Sequence, residues 1–236
     1  MRLDKFIVES GLASRTEVSK AAKNGSITVN GEVVRRPSGH IDPVCDTVTY
    51  CGKKVIYREF TYIMLNKPEG YVSATSDDLS PTVLTLLPPE LQRIGLFPCG
   101  RLDKNTLGLM LITDNGELAH KLLAPKSHVD KKYRFKSRDA IELEDAKRFE
   151  GGLTLEDGYV TLPAKIELDG DRMGGVITLR EGKYHQIKRM LEALDNKITY
   201  LERISFGPLT LDSTLERGEW RYLSEEEQSA LESHAK

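Results

Sequence analysis

Along the first sixty positions the spacing of apolar residues changes period twice. Leu3, Phe6 and Ile7 recur at helical spacing, and Gly11 supplies a stop. Ser14, with Glu17 three positions on, is a capping-box pair and predicts a second helix. Val18, Ala21 and Ala22 are its apolar face, and Asn24-Gly25 ends it, because both residues tolerate a left-handed backbone. In "SITVNGEVV" the period drops to two. Ile27 and Val29 alternate, Asn30-Gly31 predicts a tight turn and Val33 resumes, which is a hairpin signal. The stretch "CGKKVIYREF" breaks the alternation and is the expected linker, with a boundary near residue 58.

Beyond it the pattern predicts strands with interspersed helices. "YIMLNKPEGYV" reads as strand, Lys-Pro-Glu-Gly turn, strand. "TLGLMLIT", "KKYRFKS" and "ITYLERISFGPLTL" read as strands, and "TVLTLL" is ambiguous. "ELAHKLL" has helical spacing and should end at Ala124-Pro125, since proline disfavours helix in its predecessor. "IELEDAKRFEGG" is a helix closed by glycines, and "VITLREGKYHQIKRMLEAL" is a strand, a glycine turn and a helix. Ser224 and Glu227 form a second capping box at "SEEEQSALES". Strands and helices alternate too irregularly for a doubly wound sheet. The expected class is α+β: a small helix-helix-hairpin domain over residues 1–58, then a mixed, mainly antiparallel sheet with flanking helices over residues 59–236.

Composition changes this picture little. The chain has 236 residues, 39% hydrophobic and 30% charged, as in an ordinary water-soluble protein. No apolar run approaches a membrane span. The start, "MRLDKFIVESG", lacks the apolar core of a signal peptide, so a cytoplasmic location is expected. Cys45, Cys51 and Cys99 follow no metal spacing and, being odd in number, argue against a disulfide framework. Cys99 stands close to Asp103 and is a conceivable nucleophile, though a small packed residue is the simpler reading.

Charge is more informative locally than in its net value of -2. Residues 1–36 hold seven basic and four acidic side chains, a balance of +3. Residues 126–138 hold six and one, a balance of +5, and residues 216–236 three and six, a balance of -3. Local basic segments can form a phosphate-facing surface. From charge alone a merely solvated face accounts for them equally well.

Three stretches carry candidate chemistry: Gly100-Arg101-Leu102-Asp103 with Thr106 and Gly108; Lys131-Lys132-Tyr133; and Gly182 to Met190, "GKYHQIKRM". An acid, a phenol and a base in separate segments can converge at the ends of sheet strands. Singly, each has a plainer account: a turn aspartate, a packed tyrosine, a structural histidine, a solvated lysine.

Together, in their order and spacing, "YIMLNKPEGYV", "GRLDKNTLGLMLITDNGELAHKLLAP", "KKY" and "EGKYHQIKRML" resemble the ribosomal small-subunit pseudouridine synthase A family. "RLDKFI", "SRTEVSKAAKNGSITVNGEVV" and "DTVTY" resemble the RNA-binding domain named after ribosomal small-subunit protein four. The two resemblances cover nearly the whole chain.

The resemblance implies that Asp103 is the essential catalytic aspartate, that Tyr133 stacks on the target uracil and assists proton removal, and that Lys188 pairs with the aspartate. It implies that Ile187 packs in the pocket and that Arg101 helps displace the flipped base. RNA contacts are expected from Arg2, Arg15, Lys20, Lys23, Lys131, Arg134, Lys183 and Arg189, with Lys126, Lys136 and Arg138 near the site. Lys132 stands where threonine is common in the family, and Lys183 where arginine is common.

The implied reaction breaks the bond from uracil to the anomeric carbon and rejoins the base through carbon five. No cofactor is expected, and no phosphate-cradling glycine loop or metal-ligand cluster is legible. One ionised carboxylate suffices, as nucleophile or as base toward the ribose. The expected partner is ribosomal RNA of the small subunit, with the enzyme acting as a monomer. Three alternatives stay open on the residues: a large-subunit target, a silent ribosome-assembly protein, or a hydrolase using Asp103 with Asp114 or Glu117 as second acid.

Overall fold

The computed structural model describes residues 1–124, 127 and 129–234. Pro125, the expected stop of the helix before it, and Lys126, one of the expected phosphate contacts, lie outside the described residues. The chain sorts into two compact units: Met1–Thr61 with Leu87–Leu96, and Tyr62–Leu86 with Phe97–Lys236. A single cut near residue 58 leaves the segment 87–96 with the second domain, whereas its packing places it with the first.

In the first unit α1 (Leu3–Glu9) and α2 (Arg15–Lys23) precede a sheet of β1 (Ile27–Val29), β2 (Glu32–Val33), β3 (Val48–Tyr50) and β4 (Lys53–Lys54), ordered β2-β1-β3-β4. The capping box forms: the Ser14 hydroxyl accepts from the Glu17 N–H, and the Glu17 carboxylate accepts from the Ser14 N–H at 2.7 Å. Asn30 and Gly31 both take positive φ, at 51° and 85°, the requirement of a two-residue hairpin turn whose twist matches its strands. Leu3, Phe6, Ile7, Val18, Ala22, Ile27 and Val48 close the core, and Arg15, Lys20 and Lys23 stand exposed on α2. A short helix, α3 (Pro89–Gln92), completes the unit. Gly11, at φ 76°, lets the turn after α1 meet it, since a Cβ there would collide with the Glu90 carbonyl.

"CGKKVIYREF" is not simply a linker. Cys51 and Gly52 take φ 50° and 78° and close a second hairpin between β3 and β4. The alternation broke because the turn residues interrupt it, and β4 contributes only two exposed lysines.

The second unit is built on one sheet. Its strands are β5 (Tyr62–Lys67), β6 (Phe97–Pro98), β7 (Leu107–Thr113), β8 (Lys131–Ser137), β9 (Lys165–Leu168), β10 (Gly174–Leu179), β11 (Ile198–Phe206), β12 (Leu209–Thr210) and β13 (Trp220–Tyr222). The main order is β13-β5-β7-β11-β8-β10-β9, with β12 on β11 and β6 on β7. Every pair is antiparallel except β7 with β11, where Leu107 faces Glu202 and Gly108 faces Arg203. The class is α+β, mainly antiparallel, with one parallel seam at the centre.

The helices α4 (Gly116–Leu123), α5 (Leu143–Gly151), α6 (Gln186–Glu192) and α7 (Glu225–His234) flank this sheet. Tyr62 and Met64 of β5, with Leu109 and Leu111 of β7, share a core with Leu118 and Leu122 of α4 and Leu231 of α7. The intervening Ile63, Leu65, Met110 and Ile112 are equally buried, so the central strands are covered on both faces. No helix among the described residues is long and apolar enough to cross a membrane.

One expected element differs. The second strand of "YIMLNKPEGYV" does not form: after the turn Val72 makes only an isolated bridge to Thr82, and Ser73 turns aside to bond another loop. The strand, turn and helix expected over "VITLREGKYHQIKRMLEAL" form, and the helix begins at Gln186, after His185 has taken a left-handed backbone, φ 50° and ψ 30°.

Candidate active site

The parallel seam positions the site. β7 is entered through the loop Gly100–Thr106, which carries Asp103, and β11 follows α6, which carries Lys188. β8 lies on the far side of β11 and carries Tyr133. A single registered row crosses five strands here: Lys67, Gly108, Arg203, Tyr133 and Ile177. Gly108, at φ 97°, admits the close pairing of β7 with β11, since a Cβ would strike the Arg203 carbonyl.

A cavity of about 420 Å³ opens over this seam and is lined by Arg101, Asp103, Tyr133, His185, Ile187 and Lys188, among others. The Lys188 ammonium donates to Asp103 Oδ2 at 2.8 Å. Nε2 of His185 stands 3.6 Å from Asp103 Oδ1. The carboxylate is therefore flanked on both oxygens, and at 26% side-chain exposure it stays open to a ligand. Tyr133 and Ile187 are buried wall residues, whereas Arg101 is exposed at the rim. Asp114 and Glu117, the candidate second acids, do not line this cavity; Glu117 pairs with Lys121 one helical turn on.

The loop bearing Asp103 is held by two residues that sequence reasoning left without a role. Lys67, fully buried, donates to the carbonyls of Pro68 at 3.1 Å, Lys104 at 3.1 Å and Thr106 at 2.8 Å. Burial pushes its ammonium down to about 8, with Asp103 pulling the other way. Ser73 grips the other flank: its hydroxyl donates to the Leu102 carbonyl at 2.9 Å and accepts from the Leu102 N–H at 3.0 Å. A signal for Lys67 was present. A lysine that closes the run Tyr62–Leu65 in a strand buried throughout must find partners inside the protein.

The expected RNA contacts divide. Lys131 turns inward: its ammonium donates to the Val129 carbonyl at 2.9 Å, lies 5.7 Å from the Phe206 ring, and is pushed down to about 8 by burial and the nearby Arg203. It is half-buried, with its ammonium held inward beside Phe206 of the core. Arg134 makes a bidentate pair with Asp169, at 3.0 and 2.7 Å, and Arg189 pairs with Asp157 at 2.6 Å. Arg2 forks onto Asp4. Lys183 lies 5.0 Å from the Tyr159 ring. Cys99 is fully buried in the core, where burial raises its thiol to about 11, so it is a packing residue.

A carboxylate bracketed by a lysine and a histidine, in a cavity that a buried tyrosine also lines, suits work on one sugar carbon of a bound nucleotide. The relatives agree. Residues 61–193 match the RNA pseudouridylate synthase family and residues 1–48 the S4 domain. An uncharacterized RNA pseudouridine synthase of Bacillus subtilis, YtzG, is 46% identical over 230 residues, 96% of each chain. The ribosomal small subunit pseudouridine synthase A of Vibrio cholerae is 39% identical over 232 residues, 98% of this chain and 99% of that one. A solved pseudouridylate synthase superposes over 99% of both chains with a TM-score of 0.69 and 36% identity. With its loop aspartate set over the sheet seam and an S4 domain ahead of it, the chain belongs to the RNA pseudouridylate synthase family, isomerases that turn uridine into pseudouridine.

Proposed function

We propose that this enzyme modifies a uridine of small-subunit ribosomal RNA and that Asp103 acts at its ribose. The observation that carries the catalytic part is the bracketing of Asp103 by Lys188 and His185 at the mouth of a cavity one nucleotide could enter. The small-subunit target rests on relatives such as that of Vibrio cholerae.

The target uridine is everted from its stack into the cavity, at a cost of a few kcal/mol. Tyr133 offers an aromatic wall to the base, and stacking of this kind is worth about 1–3 kcal/mol. Asp103, held by Lys188, attacks the anomeric carbon or takes the proton on the neighbouring ribose carbon. The bond to N1 breaks, the freed uracil turns, and carbon five bonds to the anomeric carbon as the Asp103 carboxylate leaves it or, on the other route, returns the proton to the ribose carbon. The proton on carbon five is lost and N1 gains one, so nothing is oxidised and no group leaves. Ile187 keeps the pocket apolar around the turning base, and Arg101 at the rim fills the gap left in the stack. Arg15, Lys20 and Lys23 of the S4 domain contact phosphates, which positions the RNA without reading its sequence.

Carbodiimide primer-extension mapping tests this. Ribosomal RNA from a deletion strain is compared after rescue with the wild type or with Asp103→Asn. One small-subunit stop that is missing in the deletion strain and restored only by the wild type is the expected result. A stop restored in large-subunit RNA instead would overturn the target, and stops unchanged throughout would overturn the assignment.

A further inference from the structure

Between β10 and α6 the chain carries an aromatic side chain that no role described so far uses. Tyr184 is 70% exposed, although it borders the cavity. Its ring is stacked on that of His185, with centroids 3.8 Å apart and planes 18° from parallel. His185 in turn reaches toward Asp103. A ladder of two flat rings therefore runs from the carboxylate outward, and its last face is bare.

The loop that presents these rings is fixed from below. The Glu181 carboxylate accepts from the Tyr159 hydroxyl at 2.7 Å, from the Leu162 N–H at 2.9 Å and from the side-chain amide of Gln186. The Gln186 carbonyl oxygen accepts from the Lys183 N–H at 3.0 Å, and Gln186 is buried. The left-handed backbone of His185 sits between these two anchors. A non-glycine residue held in that conformation by flanking bonds marks a turn that is positioned rather than slack.

We propose that Tyr184, backed by His185, is a stacking platform for the base of a nucleotide flanking the everted uridine. The inference rests on the pseudouridine synthase reading and extends it to the neighbour of the target. Eversion unstacks the bases on both sides of the target; Arg101 enters the gap in the stack, and a rigid ring at the cavity mouth receives the flanking base that follows the everted nucleotide out of it. Every base has a π-face, so the platform favours an open strand without choosing a sequence. Its contribution falls on binding of the everted RNA, not on the bond-breaking step.

Tritium release from ribosomal RNA labelled with 5-³H-uridine, taken from a deletion strain, tests this with the full chain. Tyr184→Ala should raise KM roughly 5- to 150-fold, the equivalent of about 1–3 kcal/mol of base–aromatic stacking, with kcat within about threefold of wild type. Tyr184→Phe should behave as wild type, and neither variant should lower the thermal midpoint. An unchanged KM in Tyr184→Ala would overturn the platform. So would a Phe variant as impaired as Ala, a loss confined to kcat, or a fall in thermal midpoint that tracks the rise in KM. Release by the wild type reports on the underlying activity separately: its absence would refute the synthase reading, whereas a normal wild type with an indifferent Tyr184→Ala would refute only the platform.

Discussion

Asp103 and Lys188 meet at 2.8 Å although 85 positions separate them, one on the loop that enters β7 and the other on the helix that precedes β11. Parallel pairing of those two strands at Leu107–Glu202 and Gly108–Arg203 brings the two ends together. At about a quarter exposure on each side, the pair is neither a surface ion pair nor a fully buried one. It aims the carboxylate while leaving one side open to a sugar.

Lys188→Met should therefore lower kcat roughly 10²-fold, the usual effect of removing one positioned electrostatic partner, and Lys188→Arg should keep much of the rate. Single-turnover conversion on unmodified ribosomal RNA reads this directly. An effect on KM with kcat untouched would make Lys188 an RNA contact instead of the partner of Asp103.

Local chemistry made much of the fold legible. Both capping boxes, at Ser14–Glu17 and Ser224–Glu227, form as their residues require, because a cap is decided within four positions. The Asn30-Gly31 hairpin is equally local. The strand Lys131–Ser137 alternates as read, yet alternation does not say how far a long side chain bends, and Lys131 curls back onto Phe206. What failed was pairing. Val72 lies in an extended run that reads as strand, but it pairs only with Thr82, in an isolated bridge. The meeting of Asp103, Tyr133 and Lys188 depends on strand order, which spacing does not encode; only resemblance to the family joined them. Lys67 was visible as a cation in a buried strand, but its three carbonyl partners lie in turns whose course pattern alone does not give.

Lys67 makes activity and stability respond oppositely to alkali. Its ammonium is pushed to about 8 in the fold, while an unfolded lysine titrates near 10.5. Between those values the unfolded chain binds a proton that the folded chain has released. The stability this group contributes therefore rises with pH from about 8 to about 10.5 and is lost as pH falls back through 8. The neutral amine, however, has two N–H donors for three carbonyls, so the loop that carries Asp103 slackens. We expect kcat/KM to decline above about pH 8 with no matching fall in thermal midpoint. Lys67→Met should show a lower rate at every pH and lack this limb; a limb unchanged in that variant would assign it to another group.

Thr106 borders the same loop with its hydroxyl buried and without a hydrogen-bond partner among the described residues. A buried, unpaired hydroxyl costs about 1–3 kcal/mol. Thr106→Val keeps the shape and removes that cost, so the denaturation midpoint should rise. Conversion should be unaffected unless the hydroxyl bonds the incoming nucleotide, in which case KM rises while stability still improves. Chemical denaturation beside a tritium-release assay separates the two, and a variant less stable than wild type would contradict the absence of a partner.

Gly108 tests whether the seam itself matters. It combines φ 97° with a Cβ position blocked by the Arg203 carbonyl and backbone nitrogen. Alanine there must adopt a disfavoured backbone and also push β7 away from β11, at a combined cost of about 3 kcal/mol or more. Because Asp103 and Lys188 are delivered by the two strands being pushed apart, kcat/KM should fall further than the loss of folded protein explains. Gly116→Ala, at the start of α4 with nothing within 4 Å of the added carbon, is the matched control and should be neutral or slightly stabilising. Circular dichroism melts with turnover measured well below the midpoint make the comparison. If Gly108→Ala melts lower but turns over normally when folded, the seam supports only the fold, and the geometry at Asp103 is set by Lys67 and Ser73 alone.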